Sequence, residues 1–273
     1  MLIFPDISPN IIEFTLPIIN RQLSISWYGL MYVLGFMGFY WGSLLRAKRF
    51  GWSETEISDY LNYIIMGVIL GGRIGYCVFP YGFAKWQQDW TYIFRIWEGG
   101  MSFHGGLLGV IVATALFARS RQKHFLAVCD FVAMTAAIGL GTGRIGNFIN
   151  GELWGRVTDV PWGMVFPTGG HLPRHPSQLY EALLEGLVLF VVMWIYTQKE
   201  RPLGKPSGLF IMLYGIFRIF VEFFREPDAH LNYYLNTNWL TMGQILSVPM
   251  VILGIYLWLR PSSLPQSALT KES

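Results

Sequence analysis

Five polar residues fall within thirteen positions of one segment, Gly141 to Arg156, which reads GTGRIGNFINGELWGR. They are Arg144, Asn147, Asn150, Glu152 and Arg156. The segment follows an apolar run, so this polarity begins where a hydrophobic helix is expected to end. A guanidinium is permanently charged and binds phosphate oxygens through paired N–H groups, and asparagine can bond nearby hydroxyl or carbonyl groups. The segment therefore has the side chains to bind a phosphate.

A second polar group lies on one helix face nearer the C-terminus. Its members, spaced i, i+4, i+8 and i+11, are Tyr214, Arg218, Glu222 and Arg225. Arg218 with Glu222 can be a structural ion pair that fixes helix packing, or part of a ligand site. Arg225 can bind a ligand or extend its charged end to the membrane surface.

Other ionisable residues occupy the ends of further apolar runs: Tyr28, Arg73, His104, His175, Glu181 and Glu185. We interpret Glu181 and Glu185 as helix partners of arginines instead of catalytic acids. Arg73 fits either a ligand role or a side chain that reaches the surface. A lone histidine such as His104 is more often a packed core residue than a site residue.

The elements that position these residues are predicted to span a membrane. Of the 273 residues, 53% are hydrophobic and 14% are charged, and the mean hydropathy is +0.39. Soluble domains carry about 25% charged residues. Apolar runs that reach or approach the roughly 20 residues of a membrane-crossing helix lie at 22–45, 60–80, 103–118, 125–143, 178–197, 207–224 and 240–259. This pattern predicts an all-α polytopic membrane protein with seven transmembrane helices.

The orientation follows from the basic residues in short segments between the predicted helices. Those that fall on one side are Arg46, Lys48, Arg49, Arg119, Arg121, Lys123, Lys199, Arg201, Lys205, Arg260 and Lys271. Because short cytoplasmic segments are enriched in Lys and Arg, the N-terminus is predicted to lie outside and the C-terminus in the cytoplasm. Residues 1–21 lack a basic start and do not resemble a cleavable signal peptide.

Residues 1–273 are predicted to form a single integral membrane domain with two segments on the outer side. Residues 81–100 contain Trp86, Trp90, Tyr92 and Trp97 among a few charges, which is typical of an arm at the level of the lipid headgroups. Residues 144–177 are rich in Gly, Pro and Trp and predict a small irregular cap, with room for a short hairpin.

This topology places most of the embedded charge near the outer boundary of the membrane. A charge at the membrane centre costs about 2.5 to 3.5 kcal/mol, so three buried arginines cost on the order of 8 to 10 kcal/mol unless they are paired or hydrated. An anionic phospholipid headgroup fits both the charge and the depth. The net charge of +3 is explained by the inner loops and implies no nucleic-acid partner.

Six segments, which together extend over nearly the whole chain, resemble the signature segments of the bacterial prolipoprotein diacylglyceryl transferase family. They are SWYGLMY (Ser26–Tyr32), GGRIGY (Gly71–Tyr76), MSFHGGLLG (Met101–Gly109), GRIGNFINGELWGR (Gly143–Arg156), RHPSQLYEALLEG (Arg174–Gly186) and YGIFRIFVEFFREPD (Tyr214–Asp228). The resemblance implies a seven-helix enzyme of the inner membrane. Such an enzyme transfers the diacylglyceryl group of phosphatidylglycerol to the lipobox cysteine of a preprolipoprotein signal peptide, forms a thioether and releases glycerol phosphate.

The resemblance also assigns roles to individual residues. The essential histidine of the family matches His104, and its two key arginines match Arg144 and Arg218. Further motif positions match Tyr28, Asn147, Gly155, Tyr214 and Glu222. We add Asn150, Glu152 and Arg73 as candidate substrate-binding residues. The active site is expected at the periplasmic side, where the N-terminus also lies.

The chemistry agrees with these side chains. A thiolate attacks a glycerol carbon and a phosphate monoester leaves, so the site needs a path for the thiol proton and cations for the leaving group. We predict that Arg144 and Arg218 hold the phosphate and that His104 accepts the proton. Alternatively, the arginines lower the pKa of the thiol, water takes the proton, and His104 positions the substrate. Nothing in this chemistry requires a metal, a cofactor or an enzyme nucleophile.

Two other classes of function remain open from the residues alone. A transporter or flippase of lipids or organophosphates also has glycine-broken helices with embedded charges. However, such a protein needs charges along a path across the membrane, whereas these gather near one face. A purely structural lipid-binding subunit would give no reason for a histidine beside the arginines.

Overall fold

A computed structural model describes residues 2–16, 21–227, 234, 237 and 239–261. Lys271 and Asp228, which the predicted topology and one signature segment include, lie outside the described residues. The described chain is mostly helical, as the sequence predicts. Its α-helices are α1 (Trp27–Phe50), α2 (Glu54–Val78), α3 (Pro80–Gln88), α4 (Phe103–Ser120), α5 (Phe125–Ile149), α6 (Ser177–Tyr196), α7 (Lys205–Glu222) and α8 (Met242–Leu259). Short strands are β1 (Leu2–Ile3), β2 (Asn10–Leu16), β3 (Arg21–Ser26) and β4 (Met164–Val165).

Among the described residues, six helices are long and apolar enough to cross a membrane: α1, α2, α4, α5, α6 and α8. This makes the chain a multi-pass membrane protein. The sixth of the seven predicted spans is present as α7, an 18-residue helix. Within the described part of the chain, α7 is not apolar enough to count among the membrane-crossing helices. The reason is its charge, because Lys205, Arg218 and Glu222 all lie on it.

The first predicted span, 22–45, is wrong at its start. Residues Arg21–Ser26 form strand β3, which pairs antiparallel with β2, and α1 begins only at Trp27. The segment RQLSIS alternates polar and apolar residues, a pattern with the period of a strand instead of a helix. A pair of antiparallel strands, β2 and β3, therefore precedes α1.

The predicted cap begins too early. Helix α5 continues to Ile149, so Arg144 and Asn147 are helical residues and the irregular segment starts at Asn150. The polar side chains do not end the helix because they find partners inside the protein. Within the cap, β4 pairs in parallel with β1, and Phe4, Phe148 and Phe166 pack together beneath this pair.

The described residues separate into two compact units, one formed by the chain up to Gly42 and from Val132 onward, the other by Ser43–Phe131. In the second unit, α2 and α4 cross at glycines: a Cβ on Gly75 would lie 2.7 Å from the Cα of Gly105. The hydroxyls of Tyr60 and Thr114, 2.9 Å apart, join the same two helices. Small residues allow helices to approach closely in a membrane, where lipid supplies no hydrophobic drive for their association.

In the first unit, α5 crosses α6 at another pair of glycines. A Cβ on Gly186 would lie 2.6 Å from the Cα of Gly141, so neither position has room for a side chain. Gly186 belongs to a seven-residue π-helical stretch, Ala182–Val188, inside α6. Such wide turns occur often at functional sites. The close crossing and the wide turn bring the acidic face of α6 against the end of α5.

Candidate functional site

Two arginines on different helices converge on one carboxylate oxygen. Arg144 of α5 places Nε 2.7 Å from Oε2 of Glu181, and Arg218 of α7 places Nη1 2.8 Å from the same atom. The side chain of Glu181 is fully buried, whereas those of Arg144 and Arg218 are 17% and 13% exposed. The two arginine side chains are therefore the more exposed part of the cluster, and the side chain of Glu181 is shielded from solvent.

Glu185 lies one turn further along α6 and contacts the same arginines less closely. Its Oε2 is 3.8 Å from Nε of Arg144, and its Oε1 is 3.7 Å from Nη1 of Arg218. These distances exceed a hydrogen bond, and within the described residues neither carboxylate oxygen of Glu185 has a hydrogen-bond partner. The fully buried carboxylate is held by charge alone.

Glu222 anchors the cluster at the end of α7. Its Oε1 accepts from Arg218 Nη2 at 2.5 Å and lies 3.4 Å from Arg225 Nη1, and its Oε2 accepts from the hydroxyl of Thr241 at 2.5 Å. Thr241 is the N-cap of α8. Glu222 therefore fixes Arg218 relative to α8, and Arg225 is buried beside it instead of reaching the surface.

Arg156 closes the C-terminal end of α7. Its backbone N–H donates to the carbonyl of Phe224 at 2.8 Å, and its guanidinium donates to the carbonyls of Arg225 at 3.1 Å and Glu222 at 3.3 Å. A cation at a helix C-terminus satisfies carbonyls that have no partner in the helix and interacts favourably with the helix dipole. The polarity of Arg156 is thus explained by structure.

The two asparagines of the first segment share a partner. Asn147 and Asn150 donate from their side-chain amides to Oε1 of Glu152, at 2.9 and 3.2 Å. This turn follows α5 directly, one helical turn beyond Arg144. The three predicted residues are brought together with one another, and their part in substrate binding stays a prediction.

Two tyrosines border the arginine cluster. Tyr28 packs against Gly146 of α5, where an added Cβ would lie 2.9 Å from its ring, and its hydroxyl is 3.3 Å from that of Tyr32. Tyr214 lies one turn before Arg218 on α7 and within electrostatic range of both arginines and both α6 carboxylates. Tyr28 therefore packs against the helix that carries Arg144, Tyr214 lies on the helix that carries Arg218, and their part in substrate binding stays a prediction.

Gly155 is placed by the backbone around it. Its N–H donates to the carbonyl of His175 at 2.8 Å, and it forms a bridge with Arg225. A Cβ there would lie 2.7 Å from the carbonyl oxygen of His175. The position joins the cap, the start of α6 and the segment after α7, so it needs glycine for packing.

Arg73 of the second unit is buried and engages the interfacial arm. It donates to the carbonyls of Ile93 at 3.0 Å, Gly100 at 3.1 Å and also Gly99 and Tyr92. Four carbonyl acceptors occupy most of the five N–H groups of a guanidinium. This geometry favours a role in holding the arm, and the predicted role in substrate binding gains no support from it.

His104 also belongs to the second unit. It lies in the first turn of α4, is exposed, and its ring centroid is 5.7 Å from that of Phe103. Ser102 caps this helix by accepting from the N–H of Gly105 at 3.1 Å. His104 is thus not a packed core histidine, and its meeting with the arginine cluster stays a prediction.

The sequence predicts Glu181 and Glu185 as helix partners of arginines, and the structure pairs both with Arg144 and Arg218. The i, i+4 spacing in RHPSQLYEALLEG puts the two glutamates on one helix face, but it does not indicate which arginines they contact. The sequence contains no comparable pattern that predicts the hydrogen bond from Thr241 to Glu222, because this bond depends on the contact between α7 and the start of α8.

The cap also contains a histidine with a shifted pKa. His175 packs between the rings of Tyr180 and Phe224, and its Nδ1 lies 3.1 Å from the hydroxyl of Tyr180, which in turn accepts from Trp162 Nε1 at 2.7 Å. Burial lowers the pKa of His175 below its ordinary value, and nearby Asp159 opposes that shift in part. His175 is therefore neutral at pH 7.

Comparisons with known proteins agree with one another. A family model described as prolipoprotein diacylglyceryl transferase matches residues 16–260. Curated proteins named phosphatidylglycerol–prolipoprotein diacylglyceryl transferase are similar along nearly their full lengths. The one from Pseudoalteromonas atlantica is 52% identical over 275 residues, which cover 99% of this chain and 96% of that protein. The one from Pasteurella multocida is 53% identical over 258 residues, covering 94% and 93%. The one from Nitratidesulfovibrio vulgaris is 53% identical over 263 residues, covering 96% and 97%.

Proposed function

The chain belongs to the prolipoprotein diacylglyceryl transferase family, and from that premise we propose that it transfers the diacylglyceryl group of phosphatidylglycerol to the lipobox cysteine of a preprolipoprotein. The reaction forms a thioether and releases glycerol phosphate. The enzyme acts in the bacterial inner membrane with its site at the periplasmic side.

The convergence of Arg144 and Arg218 on one point carries the proposal. Both guanidinium groups reach the same oxygen of Glu181 from two helices and are more exposed than that carboxylate. A phosphate that approaches from the exposed side meets two fixed cations. Guanidinium groups bind phosphate oxygens in pairs, and they stabilise the charge that grows on the phosphate as its bond to the glycerol carbon breaks.

The residues around the arginines orient the lipid. Tyr214 lies within electrostatic range of both guanidinium groups, Tyr28 packs on the same helix as Arg144, and the side chains of Asn147, Asn150 and Glu152 offer polar atoms for the free glycerol of the headgroup. Glu222 fixes the position of Arg218 by accepting the hydrogen bond from its Nη2. Gly155 contributes by allowing close backbone contacts between the cap, the start of α6 and the segment after α7.

The thiol proton leaves by one of two routes. His104 accepts it as a general base, or the arginines favour the thiolate and water takes the proton while His104 positions the peptide. The sulfur then attacks the glycerol carbon, the S–C bond forms and the C–O bond to phosphate breaks. The residues of this chain thus supply cations and a proton path.

The purified protein, phosphatidylglycerol and a lipobox peptide test this function. The peptide should gain the mass of a diacylglyceryl group on its cysteine, and a peptide with serine in place of cysteine should not. Without a mass gain, and with transport of glycerol phosphate into vesicles instead, the protein would be a transporter.

The variant Arg144→Lys sharpens the test, because it keeps the charge and removes the paired donors. Hydrogen bonds to charged groups contribute about 1.5 to 3 kcal/mol, so kcat/KM should fall by about 10- to 150-fold. Arg121→Lys, at an ion pair with Asp59 outside the cluster, is the matched control and should keep its activity.

A further inference from the structure

When all three carboxylates are ionised, the ion-paired charges of the arginine cluster balance before any lipid binds. Three guanidinium groups, on Arg144, Arg218 and Arg225, face three carboxylates, on Glu181, Glu185 and Glu222. The phosphodiester of phosphatidylglycerol brings one more negative charge. If it binds with no other change, the cluster contains an excess negative charge in a site that is mostly shielded from water, and such a charge is costly.

Of the three carboxylates, Glu185 makes the weakest contacts with its neighbours. Glu222 accepts hydrogen bonds at both oxygens, and Oε2 of Glu181 accepts one from Arg218 and forms a 2.7 Å ion pair with Arg144. Glu185 is as buried as Glu181, yet it has only the two arginine contacts at 3.7 and 3.8 Å. A phosphate that draws Arg144 and Arg218 toward its own oxygens removes those contacts first.

Charged and titratable groups face Glu185 from three helices. From α5 it faces Arg144, from α7 it faces Arg218, Tyr214 and Glu222, and from its own helix it faces Glu181. Once the guanidinium groups turn to the phosphate, Glu185 is left beside two other carboxylates in a buried position. Burial and like charge both favour the neutral form of a carboxylic acid.

We propose that Glu185 takes up one proton from solvent when phosphatidylglycerol binds, so that the cluster keeps its charge balance and both arginines become available to the phosphate. The inference rests on the proposed function. No covalent bond changes in this step: a proton adds to a carboxylate oxygen and returns to solvent when glycerol phosphate leaves. Glu185 acts through the arginines and is a positioning residue.

Proton uptake makes lipid affinity depend on pH. A phosphodiester stays singly charged across the neutral range, so the dependence belongs to the protein. At pH values where Glu185 is ionised in the free protein, binding takes up one proton per lipid. The Kd for the lipid should then rise about tenfold for each unit by which the pH increases. In Glu185→Gln the side chain is already neutral, so the variant should bind the lipid with little dependence on pH.

Titration calorimetry with short-chain phosphatidylglycerol, in buffers that differ in ionisation enthalpy, measures this proton directly. The wild-type protein should take up about one proton per lipid bound, and Glu185→Gln should take up about none. Glu98→Gln removes an exposed carboxylate on the interfacial arm and should behave like the wild type. Equal proton uptake in the wild type and Glu185→Gln would overturn the proposal.

Two further measurements keep the test decisive. If Glu185→Gln does not fold, infrared difference spectra of the wild type should still gain the C=O band of a protonated carboxylic acid when the lipid is added, and its absence would refute the proposal. The transfer assay on the same preparation separates the two claims. Thioether formation without proton uptake rejects the role of Glu185 alone, whereas no thioether formation rejects the function.

Discussion

Arg144 Nε and Arg218 Nη1 meet at a single atom, Oε2 of Glu181, at 2.7 and 2.8 Å. Neither arginine sets this geometry alone, because each belongs to a different helix and Glu181 belongs to a third. The close crossing of α5 and α6 at Gly141 and Gly186 makes the meeting possible. The site is therefore as sensitive to helix packing as to its charged residues.

The glycine crossing leads to the first prediction. In Gly186→Ala the added methyl would contact the backbone of α5 at Gly141, so the helices must separate and the Arg144–Glu181 contact must lengthen. Overpacking of this kind costs about 1 to 3 kcal/mol. The melting temperature in detergent should fall, together with transfer activity. Gly139→Ala, where an added Cβ meets nothing within 4 Å, should keep both, and equal behaviour of the two variants would contradict the argument.

The role of His104 can be decided by its pH profile. General bases contribute about 10²- to 10⁴-fold to rate, so His104→Gln should lose activity in that range and change the pH dependence of the transfer. The measurement is kcat/KM for peptide transfer from pH 5 to 9. Near-normal turnover with an unchanged profile would remove His104 as the base and leave the route in which water takes the thiol proton.

Arg73 is predicted to hold the arm instead of the lipid. Arg73→Lys keeps the charge but offers three donors where four carbonyls now accept. Limited trypsin digestion should cut faster at Lys85 and Arg95, because the arm that contains them is released more often. The KM for phosphatidylglycerol should stay unchanged. A large rise in KM without faster cleavage would instead support the substrate-binding role.

His175 makes the cap sensitive to acid. Its pKa is lower in the folded protein than in the unfolded chain, so below the unfolded value of about 6.5 the unfolded state binds the extra proton. Stability of the cap is therefore complete above that pH and declines as the pH falls toward the folded pKa. The protection of the cap amides of Gly155 and Arg156 against hydrogen exchange, relative to their intrinsic rates at each pH, should fall between pH 7 and 5.

His175→Asn is the variant that tests this pH effect. It retains a polar atom near Tyr180 and cannot titrate, so its exchange rates, corrected for the intrinsic pH effect, should change less than those of the wild type. If the acid response persists unchanged in the variant, another group must cause it.

Much of the architecture could be predicted from the residues. Apolar runs located the helices, and the i, i+4 spacing on α7 predicted a shared face for Arg218 and Glu222. The end of α5 was missed because polarity alone suggested that the membrane helix stops at Arg144. Side chains neutralised by partners from other helices do not end a helix, and those partners are distant in sequence.

The role of Arg73 shows the same limit. Its sequence context resembles that of Arg144, since GGRIG and GTGRIG both end a predicted span. In the structure one arginine binds backbone carbonyls and the other binds a carboxylate. The local motif determines where the chain approaches the membrane surface, whereas tertiary packing determines which groups the guanidinium contacts.

The π-helical stretch of α6 limits which sequence changes this chain tolerates. Residues Ala182–Val188 wind with more residues per turn than the rest of the helix, and this stretch follows Glu181 directly and contains Glu185. Deleting one residue there would rotate everything on one side by about 100°, the step of an ordinary helix. The segment should therefore accept changes of side chain far more readily than a change in its length.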